Sequence, residues 1–168
     1  MQTARVPRPV LKLPRSRAEN VVDGLTAIVL LASFGVALWY WPTLPARVPT
    51  HFNVAGKVDG WGPRSTVWLL PVAGLVFAAF LTVLSRFPHT FNYPCAITPE
   101  NAERQYRMAR LLLGIVKLSA VVIFCTLELM VCSAASGQNI LGVWFLVGTL
   151  AGYFAIITAY LISARHAR

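Results

Sequence analysis

Four runs of apolar residues dominate this chain, and nothing else in it restricts the fold as strongly. A helix rises about 1.5 Å per residue, so roughly 20 residues cross the roughly 30 Å of hydrocarbon in a bilayer. The runs fall near residues 22–42, 66–86, 110–133 and 140–163. The first is free of charge from Gly24 to Ala46, the second from Ser65 to Ser85 and the fourth from Gln138 to Ala164, while the third holds Lys117 and Glu128. Backbone N–H and C=O groups find no partner in lipid, so each run must close its hydrogen bonds internally as a helix. Composition agrees, since 57% of the 168 residues are hydrophobic and 12% charged, against roughly 45–50% apolar in a soluble domain. The expected fold is an all-α membrane protein: a four-transmembrane-helix bundle with a compact extracytoplasmic loop between helices 1 and 2. One membrane domain is expected over residues 21–165, behind a basic, proline-containing tail at 1–20 that is expected to be disordered.

A net charge of +9 and a pI near 10.2 would suggest a nucleic-acid partner in a soluble chain. Here the cations flank apolar runs instead of forming a patch with interleaved aromatics, so no nucleic acid is expected. The charge reads as topology. With the N-terminus inside, the inner segments hold Arg5, Arg8, Lys12, Arg15, Arg17, Arg86, Arg104, Arg107, Arg110, Arg165 and Arg168, eleven in all, and the outer segments hold only Arg47, Lys57 and Arg64. Lys and Arg are retained on the cytoplasmic side, so both termini are expected there, with the tail against anionic lipid headgroups. The first run ends in Trp39-Tyr40-Trp41-Pro42 without a small-x-small cleavage site, so it is expected to stay as an anchor.

At Thr98-Pro99-Glu100-Asn101 a capping residue, a proline at the first helical position and an early acid predict a helix start. No breaker follows, so this helix is expected to run into the third span, with Arg104, Arg107 and Arg110 toward headgroups.

The segment Leu44–Arg64 is long for a connector. Gly56, Gly60 and Gly62 permit positive-φ turns, Pro45, Pro49 and Pro63 restrict it, and Phe52 and Trp61 call for burial. It reads as an ordered, turn-rich cap on the outer helix ends. His51, Asn53 and Asp59 form a candidate polar pocket for a ligand. Equally, such side chains satisfy the backbone of irregular loops, and one His with one Asp is an incomplete metal set, so no metal is expected.

Pro49, His51, Asn53, Gly56 and Asp59-Gly60, directly after a first membrane helix, resemble the signature of the SdpI-like bacterial membrane family, whose first domain is one of unknown function. Phe91-Asn92-Tyr93-Pro94, Ile97-Thr98-Pro99-Glu100-Asn101 and Gln105-Tyr106 are similar to a second motif in many members. The resemblance covers about residues 25–125. It implies a prokaryotic cell membrane and, for the family's namesake, immunity to a secreted toxin and signalling to a repressor. Four spans are expected in these residues, where the namesake carries a second membrane half, so the resemblance bears on the first half only.

Lys117 and Glu128 are further candidates, because a charge in hydrocarbon is costly and usually faces the bundle interior. They lie 11 residues apart, hence on one helix face about 20° from each other, but roughly 16 Å apart along the axis. They form either a polar stripe for an ion, a proton or a peptide, or two side chains that snorkel to opposite interfaces. In the fourth run Gly148, Ala151, Gly152, Ala155, Ala159 and Ser163 form a small-residue face that suits packing within the bundle, or a homo-oligomer through helix 4. Cys95, Cys125 and Cys132 have neither disulfide-framework nor zinc spacing and read as packing residues.

No nucleophile elbow, HExxH, phosphate loop or paired carboxylates occur, so no enzyme and no cofactor are expected. Two functions remain: a membrane protein that binds or senses a peptide or other partner through the outer loop, or a small transporter or channel subunit using Lys117 and Glu128. The topology is open to test in intact cells. A cysteine at Lys57 should react with an impermeant thiol reagent and one at Arg15 should not, and the opposite pattern reverses the orientation.

Overall fold

The computed structural model describes residues 8–138 and 143–166. The expectations for residues 1–7, for the start of the fourth run at 140–142 and for Arg168 lie outside the described residues. In chain order the elements are α1 (Arg17–Tyr40), β1 (Arg47–Phe52), β2 (Val58–Pro63), a 3-10 turn (Arg64–Trp68), α2 (Leu69–Leu84), a second 3-10 turn (Pro88–Thr90), α3 (Ala102–Ala135) and α4 (Val143–His166). Three helical segments, Arg17–Tyr40, Arg64–Leu84 and Ala102–Ala135, are long and apolar enough to cross a membrane, and α4 carries a shorter apolar stretch, Val147–Ser163.

α1 begins where its first turn is satisfied. Ser16 accepts from the Glu19 backbone N–H at 3.2 Å and the Glu19 carboxylate accepts from the Ser16 N–H at 2.7 Å, a reciprocal capping box. The helix therefore starts at Arg17, inside the segment expected to be a disordered tail. Residues 8–16 also lie against α3: the Tyr106 hydroxyl donates to the Pro9 carbonyl at 3.0 Å, Arg110 to Leu13 at 3.0 Å and Arg107 to Pro14 at 3.3 Å. The described part of the tail is thus held by backbone carbonyls that a random chain would leave to water. The same bonds correct the expectation that Arg107 and Arg110 face headgroups; of the three arginines, only Arg104 points freely outward.

α3 starts at Ala102, with Asn101 as its N-cap, so the predicted start is displaced by one turn. The Ala102 N–H donates to the Thr98 carbonyl at 3.0 Å and Asn101 Oδ1 accepts from the Thr98 N–H at 3.0 Å, so Thr98–Asn101 forms a closed turn ahead of the helix. From there α3 runs 34 residues without a break and packs against α1, α2 and α4.

α4 packs on α3, with Thr149, Tyr153, Ile157 and Tyr160 half-buried along one stripe. The small-residue face expected to pack within the bundle does not. Gly148, Ala151, Gly152, Ala155, Ala159 and Ser163 are all exposed, and nothing lies within 4 Å of a Cβ built on either glycine. The larger half-buried side chains offer α3 more contact area, which turns the small face away.

Between α1 and α2 the chain folds back as an antiparallel hairpin, β1 on β2, pairing Arg47 with Pro63, Val48 with Gly62, Pro49 with Trp61, His51 with Gly60 and Phe52 with Val58. The register shifts on each side of His51, leaving Thr50 of β1 and then Asp59 of β2 without a cross-strand partner, two bulge-like irregularities. The hairpin is docked by a small core at the ends of α1 and α3: Ala37, Leu44, Val48, Val67 and Cys132 are buried, with Trp41 and Trp68 packed around them. Phe52 is half-buried, but Trp61, expected inside, is 51% exposed, because the burial of Val48 and Pro49 on β1 commits that strand, not β2, to the core.

Of the loop glycines only Gly56, at the turn, has positive φ, 74°. Gly60 and Gly62 are required by space: a Cβ on Gly60 would sit 2.9 Å from His51 Cβ, and one on Gly62 would sit 2.7 Å from Thr50 Cγ2. Gly60→Val should therefore lower stability by about 1–3 kcal/mol through overpacking. Gly35→Ala, inside α1 where nothing lies within 4 Å, should not lower it. Thermal melts in detergent compare the two, and equal melting temperatures would show that the hairpin is not packed as described.

Candidate functional site

Two polar arrangements carry the chemistry of the fold, one on the hairpin and one inside the bundle. On the hairpin the irregular register turns His51 outward over β2, where its Nδ1 meets the Asp59 carboxylate in an ion-pair geometry, with both side chains largely exposed. Asn53 serves differently. Its Oδ1 accepts from the backbone N–H groups of Ala55 at 2.9 Å and Lys57 at 3.0 Å, and its own N–H donates to the Lys57 carbonyl at 2.9 Å. That is an Asx-type turn, and it occupies the acceptor the side chain would offer a ligand. Around the pair, Val54 at the tip and Trp61 on β2 are exposed. Arg47 donates to the Trp61 carbonyl at 3.0 Å and Arg64 stacks over the Trp41 ring at 4.7 Å, so the two cations brace the hairpin's base.

Inside the bundle, α1 and α3 meet along a polar seam. Arg110 pairs with Glu19 at 2.7 Å and Lys117 with Asp23 at 2.6 Å, while the Ser33 hydroxyl donates to the Glu128 carboxylate. The partners climb both helices in the same order, so α1 and α3 run parallel. Lys117 also donates to the Thr82 hydroxyl of α2 at 3.0 Å, and Asp23 also pairs with Arg15. One acid is thereby shared by two cations, and one ammonium ties three helices. Glu128 is fully buried, and its second oxygen, Oε1, has no hydrogen-bond partner.

Of the residues singled out from sequence, His51 and Asp59 are brought together and Asn53 is built into the turn beside them. Lys117 and Glu128 both face inward, but each takes its own partner on α1, so neither snorkels to an interface. The sequence reading missed Glu19, Asp23 and Ser33. A usable signal exists for two of them. Glu19 and Asp23 are four residues apart on α1, and Arg110 and Lys117 are seven apart on α3, so two acids and two cations recur at helical spacing at the same ends of two spans. Arg110 and Glu128 are 18 residues apart, about five turns, hence on the same face. Ser33 carries no such mark. Among the described residues no group of three or more His, Cys, Asp or Glu could hold a metal ion, and the three cysteines are free thiols.

Residues 28–75, from α1 through the hairpin into α2, match the model of a domain of unknown function, DUF1648. An uncharacterized protein of Archaeoglobus fulgidus is 30% identical over an 88-residue alignment, 44% of this chain and 48% of the relative. The chain thus spans about half the length of the curated relative it matches. No solved structure matches.

The seam yields a prediction about coupling. Lys117→Met leaves Asp23 with Arg15, whereas Asp23→Asn leaves a buried ammonium with no counter-charge, only the Thr82 hydroxyl and a neutral amide oxygen. Asp23→Asn should therefore cost more, about 3 kcal/mol, the lower end for a broken buried pair. The double substitution should cost less than the sum of the two. Denaturation in mixed micelles measures all three, and strict additivity would mean that the pair does not interact.

Proposed function

We propose that the protein is a non-enzymatic, four-span membrane protein that binds a partner, such as a peptide, through the hairpin between α1 and α2. In this reading the hairpin is extracytoplasmic, both termini are cytoplasmic and the membrane is that of a prokaryotic cell. The observation that carries it is the division of labour on the hairpin. Val48, Pro49, Leu44 and the Asn53 turn hold its shape, while His51, Asp59, Trp61 and Val54 are exposed and lie outside the buried cluster. Exposed apolar groups beside an exposed charged pair suit a protein partner, in which aromatic anchors and polar groups act together. The match of residues 28–75 to DUF1648 includes this hairpin and supports a role shared by domains of that kind. The resemblance to the SdpI-like family extends the proposal to immunity or signalling, in which capture of a secreted peptide outside is the first step.

A second reading, a small transporter or channel subunit, draws on Glu128, an acid buried in the bundle with one oxygen unpartnered. Lys117 does not support it, because Asp23 and Thr82 already bind its ammonium.

A photo-crosslinking residue at Trp61 should trap a partner in intact cells. His51→Ala and Asp59→Asn should abolish the adduct while folded protein in the membrane stays at the parent level, since an exposed ion pair contributes little to stability. Glu128→Gln should reduce the adduct less than either. If adduct and folded yield fall together, the hairpin pair is structural. A folded but inactive Glu128→Gln beside a fully active His51→Ala would move the function into the bundle.

A further inference from the structure

At the end of the bundle opposite the hairpin, where α1 begins and α2 ends, a cavity of about 480 Å³ opens between residues 10–15 and the 85–89 segment. Its size is within the usual range of small-ligand sites. Lys12, Arg15, Arg86, His89 and Arg110 line it, and no Asp or Glu does. Two of these cations are already engaged: Arg110 pairs with Glu19 and Arg15 with Asp23. Lys12 and Arg86 are exposed, and among the described residues their side chains make no hydrogen bond or ion pair. Val10, Leu11, Leu13, Phe87 and Pro88 give the rest of the lining an apolar side, beside the hydroxyls of Thr82 and Ser85, and Phe87 is half-exposed. Arg86 follows the last turn of α2 by two residues and Arg15 precedes α1 by two, which sets the cavity where the apolar spans give way to polar chain.

Two unneutralised cations above an apolar wall, at the boundary of a membrane-spanning segment, fit a group that is anionic at one end and hydrocarbon at the other. We propose that this cavity is a binding site for the phosphate of an anionic phospholipid, with Lys12 and Arg86 as its charge partners and Leu11, Leu13 and Phe87 against the upper acyl chains. Arg15 and Arg110 stay with their acids and shape the floor. The chemistry follows from point charges that meet a phosphate and aliphatic stems that lie along lipid. The site is distinct from the hairpin and independent of what the hairpin binds.

The test uses the full chain in neutral detergent, with native mass spectrometry and thermal melting read in parallel. Phosphatidylglycerol should be retained and should raise the melting temperature, and phosphatidylcholine should do neither. Lys12→Gln with Arg86→Gln should weaken phosphatidylglycerol binding roughly 10- to 30-fold, at one surface cation's worth of attraction for each. The variant's melting temperature without lipid should not change, because neither side chain has a partner to lose. Lys57→Gln on the hairpin should bind phosphatidylglycerol as the parent does. Equal retention of phosphatidylcholine, or unchanged binding in the double variant, would overturn the site. Inorganic phosphate that matched the lipid's stabilisation would overturn the lipid assignment in favour of a free anion. Should the double variant fold poorly, the single exposed Lys12→Glu gives the same reading by charge reversal.

Discussion

A lysine inside hydrocarbon must be met by an acid or leave the membrane, and the meeting of Lys117 with Asp23 sets the geometry of this bundle. A charge at mid-helix costs about 2.5–3.5 kcal/mol on insertion scales, and the Lys117 side chain is only 7% exposed. Its ammonium offers three donors, of which Asp23 on α1 takes one and Thr82 on α2 another. Three helices are thereby brought to one point with their axial positions fixed. Once α1 and α3 are in register at that rung, Glu19 reaches Arg110 one turn or two toward the basic end, and Ser33 reaches Glu128 toward the hairpin. Small residues allow the approach. A Cβ on Gly114 would sit 3.3 Å from Val22 Cγ1, and one on Gly74 would sit 3.4 Å from Leu30 Cδ2, so larger side chains there would push α1 away from its partners.

The charges on the bundle are distributed unevenly as a consequence. The seam neutralises Arg15, Arg110 and Lys117 with two acids, leaving the neighbouring Lys12 and Arg86 unpaired. At the hairpin, by contrast, His51 and Asp59 satisfy each other, Arg64 lies on a tryptophan ring and Arg47 is held by a backbone carbonyl. The first end gathers its unpaired cations around one cavity, whereas the hairpin presents a His–Asp pair with an exposed lysine, Lys57, beside it. The two surfaces therefore differ in the kind of ligand each can attract, independently of which side of a membrane each faces.

How much of this could be read in advance depends on the range of the interaction. Apolar runs define spans because burial in lipid is a local requirement met residue by residue, and the start of α3 was legible to within a turn because capping is local too. The hairpin's strands were not, since β1 carries a proline, Pro49, and its pairing with β2 is set by glycines that make room for Thr50 and His51 across the ladder. Asn53 looked like a ligand-binding residue for the same reason that it makes a good turn: a short acceptor near its own backbone. Asp23 escaped notice because it lies at the edge of an otherwise uncharged run, and its value comes from a residue 94 positions away. Residues 8–16 read as a loose tail by composition, yet their carbonyls take donors from α3, a match that no local pattern encodes.

The hairpin rests on the ends of α1 and α3, the two helices that the seam locks together. Its buried anchors, Val48 and Leu44, pack between Ala37 of α1 and Cys132 of α3, so its orientation is as well fixed as the relation between those helices. Burying a valine or leucine contributes about 1.5–3 kcal/mol, whereas an exposed ion pair such as His51–Asp59 contributes about 1 kcal/mol at most. Stability and the outward-facing chemistry are therefore carried by different residues. Substitutions at the exposed His51, Asp59 and Val54 thus disturb the scaffold less than substitutions at Val48 or Leu44.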